Sequence, residues 1–276
     1  MRIEERMFKK ILYILFISIF LQLNVANAGT EGSEELSKAK SKDTAEECFE
    51  GVSRTMFKFN HALDKAIFKP VAKGYRALPV PIRKGTGNVV DNLRSLLTFS
   101  NNVLQGDFGR AGNTAARFGI NTTAGILGIF DPATKLGFED QGKEDFGQTL
   151  GAWGADSGCY FVLPILGPTT ARDAIGLVGN AFIDPVYQIT HNTEIDNGII
   201  GNSNYSEHNY YYYRGTSAVD FRAKNIESFE SLEENSIDLY ASLKSLYLQN
   251  RSKKIANSSS TTETQDDSDW EEIDTE

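Results

Sequence analysis

The residues with which this chain could do chemistry are few and scattered. Its three histidines, His61, His191 and His208, stand far apart. None has a second histidine or a thiol at metal-ligand spacing. Glu139/Asp140 and Glu144/Asp145 are paired carboxylates of the kind general acid–base catalysis uses, although solvated loop charges take the same form. The chain has no Gly-x-Ser-x-Gly elbow, no P-loop and no Cys-x-x-Cys. Gly85-Thr86-Gly87 follows no strand pattern, and Gly119, Gly125 and Gly128 do not match a phosphate cradle. Without a nucleophile or base to name, the chain reads as a non-enzyme that needs no cofactor and no metal. Cys48 and Cys159 can pair, but two cysteines in a chain this long do not make a disulfide framework, and the balance leans towards unpaired thiols.

The elements around these residues begin and end with segments that are not fold. Residues 1–28 carry Arg2, Arg6, Lys9 and Lys10, then an apolar run from Ile11 to Leu21, then Ala26-Asn27-Ala28. The run is shorter than the roughly 18–20 apolar residues of a membrane-spanning helix, so a signal peptide cleaved between Ala28 and Gly29 is expected. Residues 29–45 form a polar leader. At the other end, residues 252–276 are expected to be a disordered acidic tail. Ser258–Glu276 alone holds eight acidic residues and no basic one. The formal net charge is −9; the first 28 residues contribute +2 and the tail −8, which leaves −3 for residues 29–257. A nearly neutral body lacks the concentrated basic face that nucleic acid requires.

Residues 46–251 then form one domain, with helical periodicity almost throughout and little strand alternation. Phe49, Val52, Met56, Phe59, Leu63 and Ile67 fall on one helical stripe, expected to face the core, with a membrane-facing stripe as the sharper alternative. A helix over about 82–105, with a break near Leu93–Ser95, ends at Gly106. Asp107 caps the next helix, which carries Ala111, Ala115 and Phe118 inward. Gly119–Phe138 reads as two apolar, glycine-bearing helical arms around Asp131-Pro132, either packed core or an element dipping into a membrane through Ile126, Leu127, Ile129 and Phe130. Asp145 caps a short helix to Trp153, and Tyr160–Leu166 is extended or irregular. Gly167–Thr170 opens a helix to Phe182, and Pro185 ends it. Residues 190–214, with Tyr210–Tyr213, read as a surface excursion. Two closing helices follow, the second capped by Ser236.

Several ordered motifs resemble the MlaA (VacJ) family. They are Met56-Phe-Lys-Phe-Asn60, Lys69-Pro-Val-Ala72, Leu104-Gln-Gly106, Arg117-Phe118 with Asn121-Thr122, and Asp145-Phe-Gly-Gln-Thr-Leu-Gly-Ala-Trp-Gly154. Leu166-Gly-Pro168, Arg172-Asp173 and Tyr247-Leu-Gln-Asn-Arg251 complete the series. The resemblance implies an all-α, ring-like domain in the inner leaflet of the outer membrane. It implies passage of mislocalised glycerophospholipids to a soluble periplasmic carrier feeding an inner-membrane ABC transporter, with trimeric porins as further partners. Asn60, Arg117, Asp145, Gln148, Trp153, Arg172 and Asp173 become candidate passage or motif residues. Gly147, Gly151, Gly154, Pro164 and Pro168 become turn and packing residues. The chain departs from the family pattern at Val52-Ser53, where Phe-Asn is usual, and at Ala28-Gly29, where many members carry a lipid-bearing cysteine. A soluble periplasmic lipid-binding or scaffold protein is the alternative.

Overall fold

The computed structural model describes residues 45–191 and 207–256. The expected signal peptide with Ala28 and Gly29, the leader up to residue 44, and the acidic stretch from residue 257 lie outside the described residues. The described part is almost entirely helical.

Helix α1 (Glu50–Leu63) runs through a π-helical turn, Asp64–Phe68, into α2 (Lys69–Arg76). Pro70 has no N–H to give the carbonyl one turn back, and the backbone widens over the turn that precedes it. Helix α3 (Val80–Leu104) starts with Pro81 in its first turn and does not break. The expected interruption at Leu93–Ser95 is absent even though polar side chains bond back to the helix's own carbonyls: Ser95 Oγ donates to that of Asn92 at 2.5 Å and Asn101 Nδ2 to that of Leu97 at 2.9 Å. Gly106, at φ 78°, closes the turn, and the Asp107 carboxylate caps α4 (Phe108–Thr123) through the Arg110 N–H. The α3–α4 seam is stitched by side-chain amides: Asn92 donates to Thr122 Oγ1 at 2.9 Å and Asn102 to Thr114 Oγ1 at 3.2 Å.

Gly119–Phe138 is not the pair of helical arms expected. Helix α4 ends at Thr123, a hydrogen-bonded loop spans 124–130, and only the single turn α5 (Pro132–Lys135) follows, capped by Asp131. Helix α6 (Phe146–Ala152) is capped by Asp145 as expected. Tyr160–Leu163 (β1) and Gly167–Thr170 (β2) pair antiparallel, with Tyr160 opposite Thr170. Gly167–Thr170 is therefore strand, and the helix it was expected to open, α7 (Ala171–Ile183), begins one residue later with Thr170 as its cap. Helix α7 ends at Ile183, just ahead of Pro185 as expected, and Pro185 starts α8 (Pro185–His191).

Tyr210–Tyr213 are likewise not in a surface excursion. They sit in α9 (Glu207–Lys224), where Tyr210 meets Tyr187 edge to face at 5.1 Å between centroids. The aromatic contact with α8 overrides the weak helical pattern of the run. Helices α10 (Ile226–Asn235) and α11 (Leu239–Ile255) close the domain. The cap of α11 is Asp238, not Ser236, and the helix continues past residue 251 to Ile255. Cys48 and Cys159 are joined in a disulfide, which fastens the entry segment beside β1, where Glu47 also bridges Tyr160.

Burial runs opposite to the pattern of a water-soluble domain. Among the described residues, 17 polar or charged side chains are buried against 12 apolar ones. Asn101, Asn102, Gln148 and Thr149 are among the deepest, whereas Phe49, Val52, Phe108, Val178 and Phe182 stand in the open. Most of the α1 stripe expected in the core points outward: Val52 is 61% exposed and Phe49, Phe59 and Ile67 are exposed with it, Met56 alone packs against Tyr160, Val162 and Tyr240, and the fully buried side chain of α1 is Ser53. Ile175, Val178 and Phe182 of α7 are exposed in the same way. None of the described helices is long and apolar enough to cross a membrane.

Candidate functional site

The first half of α3 and the middle of α9 face one another across a cavity of ≈ 600 Å³. Ile82, Val89, Val90 and Leu93 line it from α3, Tyr212, Tyr213 and Thr216 from α9, and Ile129 from the 124–130 loop. The walls are apolar, with hydroxyl groups from Thr86, Thr216 and the two tyrosines. Burial pushes the Tyr213 hydroxyl up to about 12, so it stays a neutral donor.

The loop reaches the cavity because two glycines let it. A Cβ on Gly85 would stand 3.3 Å from Ile129 Cγ2, and one on Gly128 would stand 2.6 Å from Asn92 Cβ. Asn88 Nδ2 donates to the Ile129 carbonyl at 2.9 Å and pins the loop over α3. Ile126 and Leu127 both adopt left-handed backbone, at φ 54° and 57°. That conformation costs a side-chain-bearing residue roughly 1–2 kcal/mol. Their side chains gain little burial in return: Leu127 is 70% exposed and Ile126 59%. Arg117 holds the base of the loop. Its guanidinium pairs with Asp131 at 2.8 Å, donates to Thr134 Oγ1 at 2.9 Å, and also reaches the Phe138 carbonyl.

A second constellation lies where α6, α7 and α11 converge. Arg251 donates twice to Asp145, at 2.6 and 3.0 Å, and once to Asp173, at 2.7 Å. Arg172 Nε meets the same Asp173 at 3.2 Å, and Tyr247 donates to it at 2.5 Å. Burial works to raise both carboxyls, but the Arg251 guanidinium outweighs it and holds each below the usual carboxylate range. The approach depends on absent side chains. A Cβ at Gly147 would lie 2.7 Å from both Arg251 and Asp173, and one at Gly176 would strike the Gly147 backbone at 2.4 Å.

Of the residues singled out by sequence, only Ile129 lines the cavity. Ile126, Leu127 and Phe130 form the exposed tip of the same loop. Arg117 secures the loop base, while Asp145, Arg172 and Asp173 belong to the ionic cluster. Gln148 is buried and donates to Asp145 Oδ2 at 2.9 Å. Trp153 Nε1 donates to the Leu104 carbonyl at 2.9 Å. Asn60 ties α1 to the tip of the β-hairpin, donating to the Leu163 carbonyl and accepting from the Ile165 N–H, both at 2.7 Å. Tyr212 and Tyr213 were missed because an isolated tyrosine run shows no helical period. Arg251 stood in a recognised motif without a role; its signal was a lone arginine among polar neighbours on a closing helix.

The model of the MlaA lipoprotein family matches residues 45–254, a span that contains both constellations. The chain belongs to the MlaA lipoprotein family. It is 32% identical to the intermembrane phospholipid transport system lipoprotein MlaA of Haemophilus influenzae, over 84% of this chain and 86% of that protein. The protein of the same name in Escherichia coli K12 is 38% identical over 48% of this chain and 55% of its own length. An uncharacterized protein of Rickettsia prowazekii is 38% identical over 52% of this chain, which spans 58% of that relative. Among solved structures, one described under the structural basis for maintenance of bacterial outer membrane lipid asymmetry superposes with a TM-score of 0.61. It is 28% identical, over 76% of this chain and 98% of that one. Val52 is an outward apolar residue, and the buried Ser53 Oγ has no hydrogen-bond partner among the described residues.

Proposed function

We propose that this chain lets mislocalised glycerophospholipids leave the outer leaflet of the outer membrane and so maintains lipid asymmetry. The observation that carries this reading is the reversed burial pattern together with the apolar cavity. Large apolar side chains cover the outside of the helices, where acyl chains would satisfy them, and polar amides fill the interior. A cavity with hydrocarbon walls and hydroxyl-bearing edges suits an amphiphile better than a small polar metabolite. Movement of lipid between environments requires neither a covalent step nor a cofactor.

In this reading the chain is exported by a signal peptide cleaved after Ala28 and occupies the periplasmic face of the outer membrane. Both cysteines are committed to the Cys48–Cys159 disulfide, so attachment rests on the exposed apolar faces of α1, α7 and the 124–130 loop. Lipid passes onward to a soluble periplasmic carrier and an inner-membrane ABC transporter, with a trimeric porin as neighbour. The test is genetic and direct. A deletion strain should expose phospholipid in its outer leaflet, and expression of this chain should reverse it. Complementation failure with the protein present at normal level in the outer membrane would overturn the proposal. Release of the mature protein by carbonate or high salt would favour a soluble periplasmic lipid-binding protein instead.

A further inference from the structure

Among the described residues, the non-glycine residues with left-handed backbone are Ile126, Leu127 and Ile165. Ile165, at φ 67°, stands in the tip of the β1–β2 hairpin, residues 164–166. A β-branched side chain tolerates that conformation worst of all. Yet Ile165 is 64% exposed and Leu166 67%. The bend is enforced from α1, where Asn60 donates to the Leu163 carbonyl and accepts from the Ile165 N–H, both at 2.7 Å. The fold thus holds two large aliphatic side chains away from its own core, at a conformational cost that no burial within the protein offsets.

The tip also keeps its backbone donors from solvent. Pro164 has no N–H, that of Ile165 goes to Asn60 Oδ1, and that of Leu166 goes to the Pro164 carbonyl at 2.7 Å. No residue from Cys159 to Ala171 is charged. Water asks for no such closure, because it satisfies the N–H groups of a loop itself. Hydrocarbon satisfies none, so a segment entering it must bring its own acceptors. The 124–130 loop is built alike: every N–H from Ala124 to Phe130 bonds to a backbone carbonyl, and none of its residues is charged. The connection after Phe138, by contrast, exposes Glu139 and Asp140. Asn60 follows the exposed Phe59, so the tip is fastened at the edge of the outward apolar face of α1.

We propose that the hairpin tip is a lipid-inserting anchor: Ile165 and Leu166 enter the acyl-chain region of a phospholipid leaflet, and Asn60 holds the bend that carries them. The inference rests on the proposed attachment to the outer membrane and adds a contact beyond α1, α7 and the 124–130 loop. Insertion exchanges water for hydrocarbon around two aliphatic side chains, a favourable term that offsets the left-handed bend. Bonding the Ile165 and Leu166 N–H groups inside the protein removes the penalty of desolvating them. A tip this short reaches only the outer part of the hydrocarbon, so it anchors the domain and does not span the bilayer.

The experiment uses the full mature chain, diluted from detergent onto vesicles of equal parts phosphatidylethanolamine and phosphatidylglycerol and separated by flotation. Ile165→Asn places at the bend a residue that accepts left-handed backbone, so the thermal midpoint should hold or rise while vesicle affinity falls. Leu166→Lys should leave the midpoint unchanged and lower the affinity about tenfold or more, roughly the effect of withdrawing one large aliphatic side chain from lipid. A merely structural role would move stability and binding in the same direction. The indole of Leu166→Trp should be quenched by phospholipid brominated along its chains, beyond any quenching of the native Trp153 and Trp270. Gln141→Trp, on the charged connection, should add no such quenching. Folded Ile165→Asn and Leu166→Lys proteins that bind vesicles like the wild type, or a Leu166→Trp indole that bound vesicles do not quench, would overturn the anchor. Either result returns the tip to water or to a protein partner and leaves attachment through α1, α7 and the 124–130 loop standing. A lowered midpoint in both variants would show that the tip packs against protein and would overturn it too. A wild type that does not float with the vesicles would overturn both the anchor and the attachment.

Discussion

Arg251 clasps Asp145 through two parallel hydrogen bonds of 2.6 and 3.0 Å, joining the last helix to the cap of α6 across 106 positions of sequence. Its remaining reach goes to Asp173, which Arg172 also meets at 3.2 Å, so two guanidinium groups balance two carboxylates on different helices. Removing Arg251 leaves Asp145 without its ion-pair partner and Asp173 with Arg172 alone. Arg251→Ala should destabilise the domain by about 3–5 kcal/mol, the usual consequence of leaving a buried charge without its partner. Chemical denaturation of the purified protein measures this. Adding Asp145→Asn and Asp173→Asn to the same variant should return part of the loss; a triple variant no more stable than Arg251→Ala would show that packing, not charge, is what Arg251 supplies.

The same pair sets an acid dependence. Asp145 and Asp173 are held below their ordinary value of 3.8 in the folded state. Their stabilisation is therefore fully present above that pH and drains away as pH falls below it. In Arg251→Ala burial would raise the Asp145 carboxyl instead, while Asp173 keeps Arg172 and the Tyr247 hydroxyl, so for Asp145 the sign reverses and its contribution to stability should increase on acidification from neutrality towards pH 4. Glu144 and Asp184, both raised by burial, contribute alike in the two proteins, so the difference between their melting-temperature profiles isolates the pair.

The loop over the cavity is expected to be intolerant at Gly128 and tolerant at its tip. Gly128→Ala adds a Cβ 2.6 Å from Asn92 at a φ of 90°, where an L side chain is strained. We expect a loss of about 2–3 kcal/mol, since clash and backbone strain act together. A thermal midpoint equal to wild type would mean that the loop shifts away from Asn92 at no cost.

Leu127→Lys should behave in the opposite way. The side chain is exposed, so folding stability should change by no more than about 0.5 kcal/mol. If the loop tip lies in lipid, the lysine should move protein from the membrane to the soluble fraction, because a charge at depth costs up to about 2.5–3.5 kcal/mol. Unchanged fractionation of a folded Leu127→Lys protein would remove the loop from the list of membrane contacts.

The Cys48–Cys159 bond closes a loop of 111 residues. By the chain-entropy argument a crosslink of that span is worth about 3–5 kcal/mol. Cys48→Ser with Cys159→Ser should lower stability by that order, and reductant should lower the wild type equally while leaving the double variant unchanged. A reductant effect on the double variant would place the sensitivity elsewhere.

Local signals in the chain were enough to reveal the helical class, the caps at Asp107, Asp131 and Asp145 and the turn at Gly106. Each of these depends on neighbours within about one helical turn. Which side of each helix faces inward was decided by tertiary structure. The stripe through Val52, Phe59 and Ile67 has the period of a core face, yet it points outward while Ser53 is buried, because periodicity records that a face is apolar and not what covers it. The partners of Asp145 and Asp173 were equally hidden. Arg251 lies 106 and 78 positions from them, and nothing local to either acid announces it. Tyr212 and Tyr213 became cavity walls only when α9 folded back on α3. The Cys48–Cys159 bond followed from β1 lying beside the entry segment, a proximity that two isolated cysteines in the sequence could not encode.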